Sequence, residues 1–281
     1  MTATVYAVAN QKGGVAKTTT TVSLAAALTE LGLAVLAIDL DPQSALTFSL
    51  GYDADPGQPT MSDVLVAGAP LERAILQHAE TDVAVAGSDL AGADMALASR
   101  PGREFRLRKA LESLRETYDV VLIDCPPSLG MLTLNALTAA DRVLVPVQCE
   151  TLAHRGVAQL LETIADVRDL TNTDLRVTGF IATMFDSRTR HGAAVVADVA
   201  QRYEMPLLGV PVRASVRFAE APHAGVSILT YAPRTAGAAA YRLIAADMTG
   251  APISSELRAM AEGTRRRPSN APAGGPSRQG R

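Results

Sequence analysis

The chain has 281 residues and a formal net charge of −3, from 26 Lys and Arg against 29 Asp and Glu. Its 48% hydrophobic content can bury a large α/β core, and with no global basic character any nucleic-acid binding has to come from a local patch. Cys125 and Cys149 stand 24 positions apart without CxxC spacing, "MTATVYAVAN" lacks the basic start of a secretory signal, and no run of about 18 apolar residues interrupts the chain. These features argue against a disulfide framework, a cysteine metal site and a membrane span, and predict a cytoplasmic protein.

"TVYAVA" (4–9) is a short apolar run that ends at a glycine loop and reads as a buried strand. "KTTTTVSLAAALTEL" (17–31), rich in Ala and Leu, fits a helix, and "LAVLAIDL" (33–40) is a second buried strand with an acid near its C-terminal end. The same signal returns in "DVAVAG" (82–87), "DVVLIDC" (119–125), "DRVLVPV" (141–147) and "LRVTGFIAT" (175–183). Helical stretches lie between most of them, among them 103–118 and 155–170. Near-continuous apolar strands alternating with amphipathic helices predict a parallel sheet covered on both faces. The composition changes after about Gly250. Residues 263–281, "GTRRRPSNAPAGGPSRQGR", hold five arginines and almost nothing apolar, so a short helical remnant and a disordered tail are expected over 251–281.

The loop "NQKGGVAKTTTT" (10–21) approximates G-x-x-x-x-G-K-[ST], but Gln11 and Ala16 replace both glycines. Its setting is nevertheless that of a phosphate loop: strand, glycine turn, lysine, hydroxyl, helix. Backbone N–H groups over Gly13, Gly14, Val15, Ala16, Lys17, Thr18 and Thr19 can cup phosphate oxygens, helped by the helix N-terminus. Lys17 would reach the β- and γ-phosphates, and the Thr18 hydroxyl would ligate Mg²⁺. Two acidic strand ends follow, "IDLDPQ" (38–43) and "VVLIDCPPSLG" (120–130). Ligands of open α/β sheets sit at the carboxyl ends of strands, so the three segments converge, and Asp124 fits a Mg²⁺-holding role through water. A single strand-end Asp is as readily a turn or cap residue, and the joint occurrence of three motifs decides the matter. The fold expected is α/β: a single P-loop NTPase domain over 1–250, with a twisted, mostly parallel sheet and helices on both faces.

"KGGVAKT", with Lys12 ahead of the two glycines, resembles the deviant Walker A motif. "DLDPQ" and "DCPPSLG" are similar, in the same order, to companion segments of the ParA/Soj partition ATPases, of the SIMIBI class of P-loop NTPases. "TMFDSRTR" (183–190), "SVRFAEAPHAG" (215–225) and "AGAAAYRLIA" (236–245) extend the resemblance over about residues 4–248. It implies that Lys12 crosses a dimer interface to the partner's phosphates, and that Asp41 positions the attacking water. It assigns Asp39 to the switch and the Mg²⁺ shell. Met184 and the segment "VRASVR" (212–217) lie near the adenine pocket by the same resemblance. Arg213 stands there where many relatives have proline. Arg188 and Arg217 match DNA-contacting arginines, with Arg190 and Arg213 adding positive charge.

The function this implies is an ATP- and Mg²⁺-dependent homodimeric switch that hydrolyses ATP slowly and binds double-stranded DNA without sequence preference. A ParB-like centromere-binding partner and a nucleoid-associated location complete the expectation. With nine residues ahead of Asn10, an added N-terminal DNA-binding domain is not expected. A MinD-like membrane-cycling ATPase is the alternative; it needs a C-terminal amphipathic helix, and "ISSELRAMAEGTRRRP" (253–268) offers few large apolar residues, so stable membrane association is not expected. Metal-cluster carriers of the superfamily need paired cysteines, and His154 reads as a surface or interface residue.

Overall fold

The computed structural model describes residues 2–53, 57–150 and 153–263, apart from the side chains of Ala153 and Arg190. Seven strands form one sheet: β1 (Thr4–Val8), β2 (Val35–Asp39), β3 (Ile75–Leu76), β4 (Asp82–Ala84), β5 (Val120–Asp124), β6 (Arg142–Gln148) and β7 (Arg176–Thr183). Their spatial order is β3-β4-β2-β5-β1-β6-β7. Every neighbouring pair is parallel except β3–β4. The helices are α1 (Lys17–Glu30), α2 (Ala45–Ser49), α3 (Ala93–Ala98), α4 (Arg106–Leu111), α5 (Met131–Ala139), α6 (Ala153–Leu170), α7 (Arg190–Arg202), α8 (Arg217–Glu220), α9 (Ile228–Tyr231), α10 (Ala236–Thr249) and α11 (Ser255–Glu262).

Alternation along the strands sends side chains into two cores. Val5 and Ala7 of β1, with Val121 and Ile123 of β5, pack against Leu107 of α4, Leu132 of α5 and Leu160 of α6. Tyr6 and Val8, with Leu122, face Leu24 and Leu28 of α1 and Tyr241 and Ile244 of α10. Both faces are therefore covered, as the unbroken apolar strands require. The register Val8↔Asp124 and Asp39↔Asp124 lines up the ends of β1, β2 and β5, which puts the glycine loop and both acidic strand ends on one edge.

Three local outcomes differ from the sequence expectation. The helix expected over 103–118 is α4 alone, flanked by tighter turns at Arg103–Phe105 and Glu112–Leu114. Asn135 of α5 fixes its start, accepting from the Leu107 N–H and donating to the Arg103 carbonyl. The edge strand β3 lies inside a run that carries no alternation, and is a strand only through its pairing with β4. The change of character after Gly250 also does not end the fold. Ser254 caps α11 by accepting from the Leu257 N–H, Ala261 is buried, and Ile253, Leu257 and Met260 pack on the core beside α10. The folded unit runs to Gly263, and the tail expected to be disordered, 264–281, lies outside the described residues.

Candidate nucleotide site

The loop between β1 and α1 is anchored from below. Asn10 is buried, donates to the Pro146 carbonyl and accepts from the Lys12 N–H. Val15 is buried, and its carbonyl accepts from the Thr183 hydroxyl at the end of β7. Gly14 has φ 74°, and Ala16, the residue ahead of α1, has φ 66° and ψ 37°. Ala16 thus holds the left-handed conformation that glycine adopts without cost. Its departure from the usual motif is foremost a matter of backbone strain.

A cavity of about 300 Å³ brings together Gly13, Gly14, Ala16, Lys17, Thr18, Thr19, Asp41, Pro127 and Met184. Lys17 is buried and its ammonium lies 3.4 Å from the Lys12 carbonyl. Burial pulls its pKa down, opposed by the Asp124 charge. Thr18 donates to Asp124 Oδ2 at 2.6 Å, and Thr21 to Oδ1 at 3.3 Å. Burial, reinforced by the Asp39 charge, pushes the Asp124 carboxyl up to about 8. Asp39 is raised by burial to about 6, against hydrogen bonds that favour its charged form. Two fully buried carboxyls with one buried lysine need further positive charge before both ionise. Among the described residues no three His, Cys, Asp or Glu side chains group as a metal cage. Mg²⁺ needs no such cage: one or two carboxylates, a hydroxyl, waters and phosphate oxygens suffice. The Thr18–Asp124 pair fits that donor set.

Asp39 is less suited to it. Its Oδ1 accepts from the Asp41 N–H, and its Oδ2 accepts from both the N–H and the hydroxyl of Thr47. Its carboxyl is committed to shaping the 40–47 turn, so the loop-shaping part of the expectation fits its geometry better than metal ligation. Asp41 borders the cavity and accepts from the Gln43 N–H.

A second, more apolar cavity of about 430 Å³ shares Ala16, Thr19 and Met184 with the first. Val212, Val216, Phe218 and Tyr241 are among its other walls. Tyr241 meets the Thr20 hydroxyl at 3.0 Å and Phe218 edge-on, tying α10 to α1 behind the cavity. Polar and apolar cavities joined at Ala16 and Met184 have the division a nucleotide requires, phosphates at one end and base at the other. Sequence reasoning missed Pro127, Phe218 and Tyr241, although each lies inside a motif it had singled out. Arg213 borders the apolar cavity, but its guanidinium donates to the Glu262 carbonyl at the end of α11. A base-binding role for that side chain is not what the geometry offers.

Lys12 turns away from Lys17. Its ammonium lies 3.1 Å from Gln148 Oε1 and 3.1 Å from Glu150 Oε2. The segments carrying the remaining arginines run side by side: Phe185 N–H donates to the Val212 carbonyl, and Ala214 N–H to that of Phe185. Arg188 and Arg217 each follow this pairing by three residues in sequence, and both are exposed. Arg188 is paired with Asp186 at 2.8 Å and Arg217 with Glu220 at 2.8 Å. Arg190 opens α7, and its side chain lies outside the described residues. His154 bridges α6 to Asp198 of α7 at 2.8 Å, away from both cavities, and neither cysteine is in a disulfide.

A parallel sheet whose first strand runs through a glycine loop into a helix, with an acidic strand end beside it, defines a P-loop nucleotide-binding domain. The additional lysine ahead of the glycines marks its deviant form. A family model described as AAA domain (AAA_31) matches residues 3–177. The chain is 43% identical to the sporulation initiation inhibitor protein Soj of Bacillus subtilis, over 84% of this chain and 94% of that one. It is 42% identical to the chromosome partitioning protein ParA of Caulobacter vibrioides, over 87% and 93%. A Mycobacterium smegmatis crystal structure, described as cobyrinic acid a,c-diamide synthase with bound ADP and magnesium, is 47% identical with a TM-score of 0.77, covering 93% and 96%. The chain belongs to the ParA/Soj family of P-loop ATPases.

Proposed function

We propose that the protein is an ATP-dependent dimerising switch that binds DNA without sequence preference and hydrolyses ATP slowly to segregate a chromosome or plasmid with a ParB-like partner. The observation that carries this reading is the pair of cavities sharing Ala16, Thr19 and Met184, with Lys17, Thr18 and Asp41 at the polar end and the Lys12 carbonyl beside the Lys17 ammonium. ATP and Mg²⁺ are its cofactors: Thr18 and Asp124 would hold the metal, and the N–H groups of the loop and α1 would receive the phosphates. When bound, the ion would supply positive charge to the phosphate oxygens. Lys17 adds charge at the same place, Asp41 orients the attacking water, and Lys12 contributes charge across the dimer interface. Arg188 and Arg217 serve sequence-independent phosphate contact, with Arg190 adding positive charge. The match to a chromosome partitioning ParA over most of both chains supports the segregation role.

The membrane-cycling reading has less support. The apolar positions of α11, which a surface-binding helix would need to expose, are used in packing on the core.

The test is binding to a long non-specific duplex with ATP, with ADP and without nucleotide. Binding with ATP alone is expected, and equal binding in all three states would refute the switch. Asp41→Ala should keep ATP-dependent binding while turnover falls at least about 100-fold, the scale of a lost water-positioning group. Stimulation of wild-type turnover by a small carboxylic-acid substrate, with none by DNA and partner, would point to a ligase instead.

A further inference from the structure

Lys12 has its backbone fixed while its side chain reaches out to the end of β6. Its N–H donates to Asn10 Oδ1, and Asn10 is pinned through the Pro146 carbonyl. Gly156 of α6 packs directly over this point, where a Cβ would lie 2.6 Å from Asn10 Oδ1 and 3.3 Å from Lys12 N. The ammonium then enters a closed set of contacts at the end of β6. It donates to Gln148 Oε1 and to Glu150 Oε2, and Gln148 Nε2 donates to the other Glu150 oxygen at 2.7 Å. Gln148 thus holds the carboxylate and the ammonium at once.

We infer that Glu150, oriented by Gln148, is a positioning residue that parks Lys12 on its own subunit, so that dimerisation must exchange this internal ion pair for the contact across the interface. The inference rests on the reading of Lys12 as the lysine that crosses between subunits. The exchange is well matched energetically. With side-chain exposures of 29% for Lys12 and 58% for Glu150, the pair belongs to the partly exposed class whose strength changes an equilibrium by a few-fold. A parked lysine of this kind delays assembly until nucleotide phosphates offer a stronger anion, without trapping the side chain. It also keeps an unpaired ammonium from seeking other anions while the protein is monomeric.

The experiment uses the full chain. Glu150→Gln retains the size and hydrogen-bonding capacity of the side chain and removes its charge. In nucleotide-free protein, Lys12 should become about two- to five-fold more reactive toward a lysine-acylating reagent, as read by mass spectrometry of the loop peptide. The non-hydrolysable ATP analogue concentration for half-maximal dimerisation, followed by light scattering, should fall by a similar factor for each subunit. Unchanged Lys12 labelling, or dimerisation requiring as much analogue as the wild type or more, would overturn the parking role. Lys12→Ala separates this from the underlying reading. If that variant dimerises and hydrolyses ATP like the wild type, Lys12 is not the crossing lysine. If it fails while Glu150→Gln is without effect, only the parking is wrong.

Discussion

At the scale of single residues, Ala16 and the buried carboxyl pair make the clearest cases. An L-residue in the left-handed region costs about 1–2 kcal/mol, whereas glycine in the unfolded chain costs about 0.4–1 kcal/mol in extra entropy. Ala16 has φ 66°, so the first term wins, and Ala16→Gly should stabilise the protein by about 0.5–1 kcal/mol in urea unfolding. The sequence signals an unusual residue here; the sign of its effect needs the dihedral angle. Asp39 and Asp124 supply a pH prediction. Their folded pKa values, about 6 and about 8, lie above the ordinary 3.8, so without Mg²⁺ the folded protein keeps protons that the unfolded chain releases. This contribution is fully present below about pH 4 and is lost as pH rises through 6 and 8. The Mg²⁺-free protein should therefore lose thermal stability from about pH 5 to pH 8. Asp124→Asn should flatten that slope in scanning calorimetry and weaken Mg²⁺-nucleotide binding.

At the scale of elements, α11 shows where composition misleads. "ISSELRAMAEG" has few large apolar residues, yet Ile253, Leu257, Met260 and Ala261 are placed against the core. Gly263, at φ 68°, ends the helix, and a Cβ there would stand 2.5 Å from Arg213 Nη1. The Arg213 guanidinium consequently caps the Glu262 carbonyl and joins α11 to the wall of the apolar cavity. A chain ending at Gly250 should be less stable than one ending at Gly263 by about 2–4 kcal/mol, the scale of partly burying Ile253, Leu257 and Met260. Denaturant midpoints of the two chains check this. Equal midpoints would show that α11 contributes nothing to the fold. The long strands were legible because apolar runs of that length leave few alternatives; β3 was not, since a two-residue edge strand exists only through its neighbour.

At the scale of the whole molecule, charges assigned to partners are held by the chain's own acids: Lys12 by Glu150, Arg188 by Asp186 and Arg217 by Glu220. Such exposed pairs are weak and do not prevent phosphate contact, but they offset the positive charge locally at these three side chains. Under the proposed function, DNA affinity would come from several arginines brought together by two subunits. Each phosphate contact contributes about 0.9 to the logarithmic salt slope. Replacing both Arg188 and Arg217 by Ala should therefore reduce that slope by about two to four in the dimer. A slope equal to the wild type would place the DNA surface elsewhere.

By itself the sequence determined the sheet class, the phosphate loop and the strand-end acids, because buried strands, glycine turns and lysine-hydroxyl pairs are local patterns. Family resemblance extended this to Lys12, Asp41 and the late arginines. Only the tertiary structure decided which way those side chains turn. Packing and hydrogen bonding gave Asp39 to Thr47, Arg213 to Glu262 and Lys12 to Glu150, because each partner is remote in sequence or on another element. It also decided that Ala16 carries a strained backbone, since a methyl group reads the same at any φ until the chain around it is built.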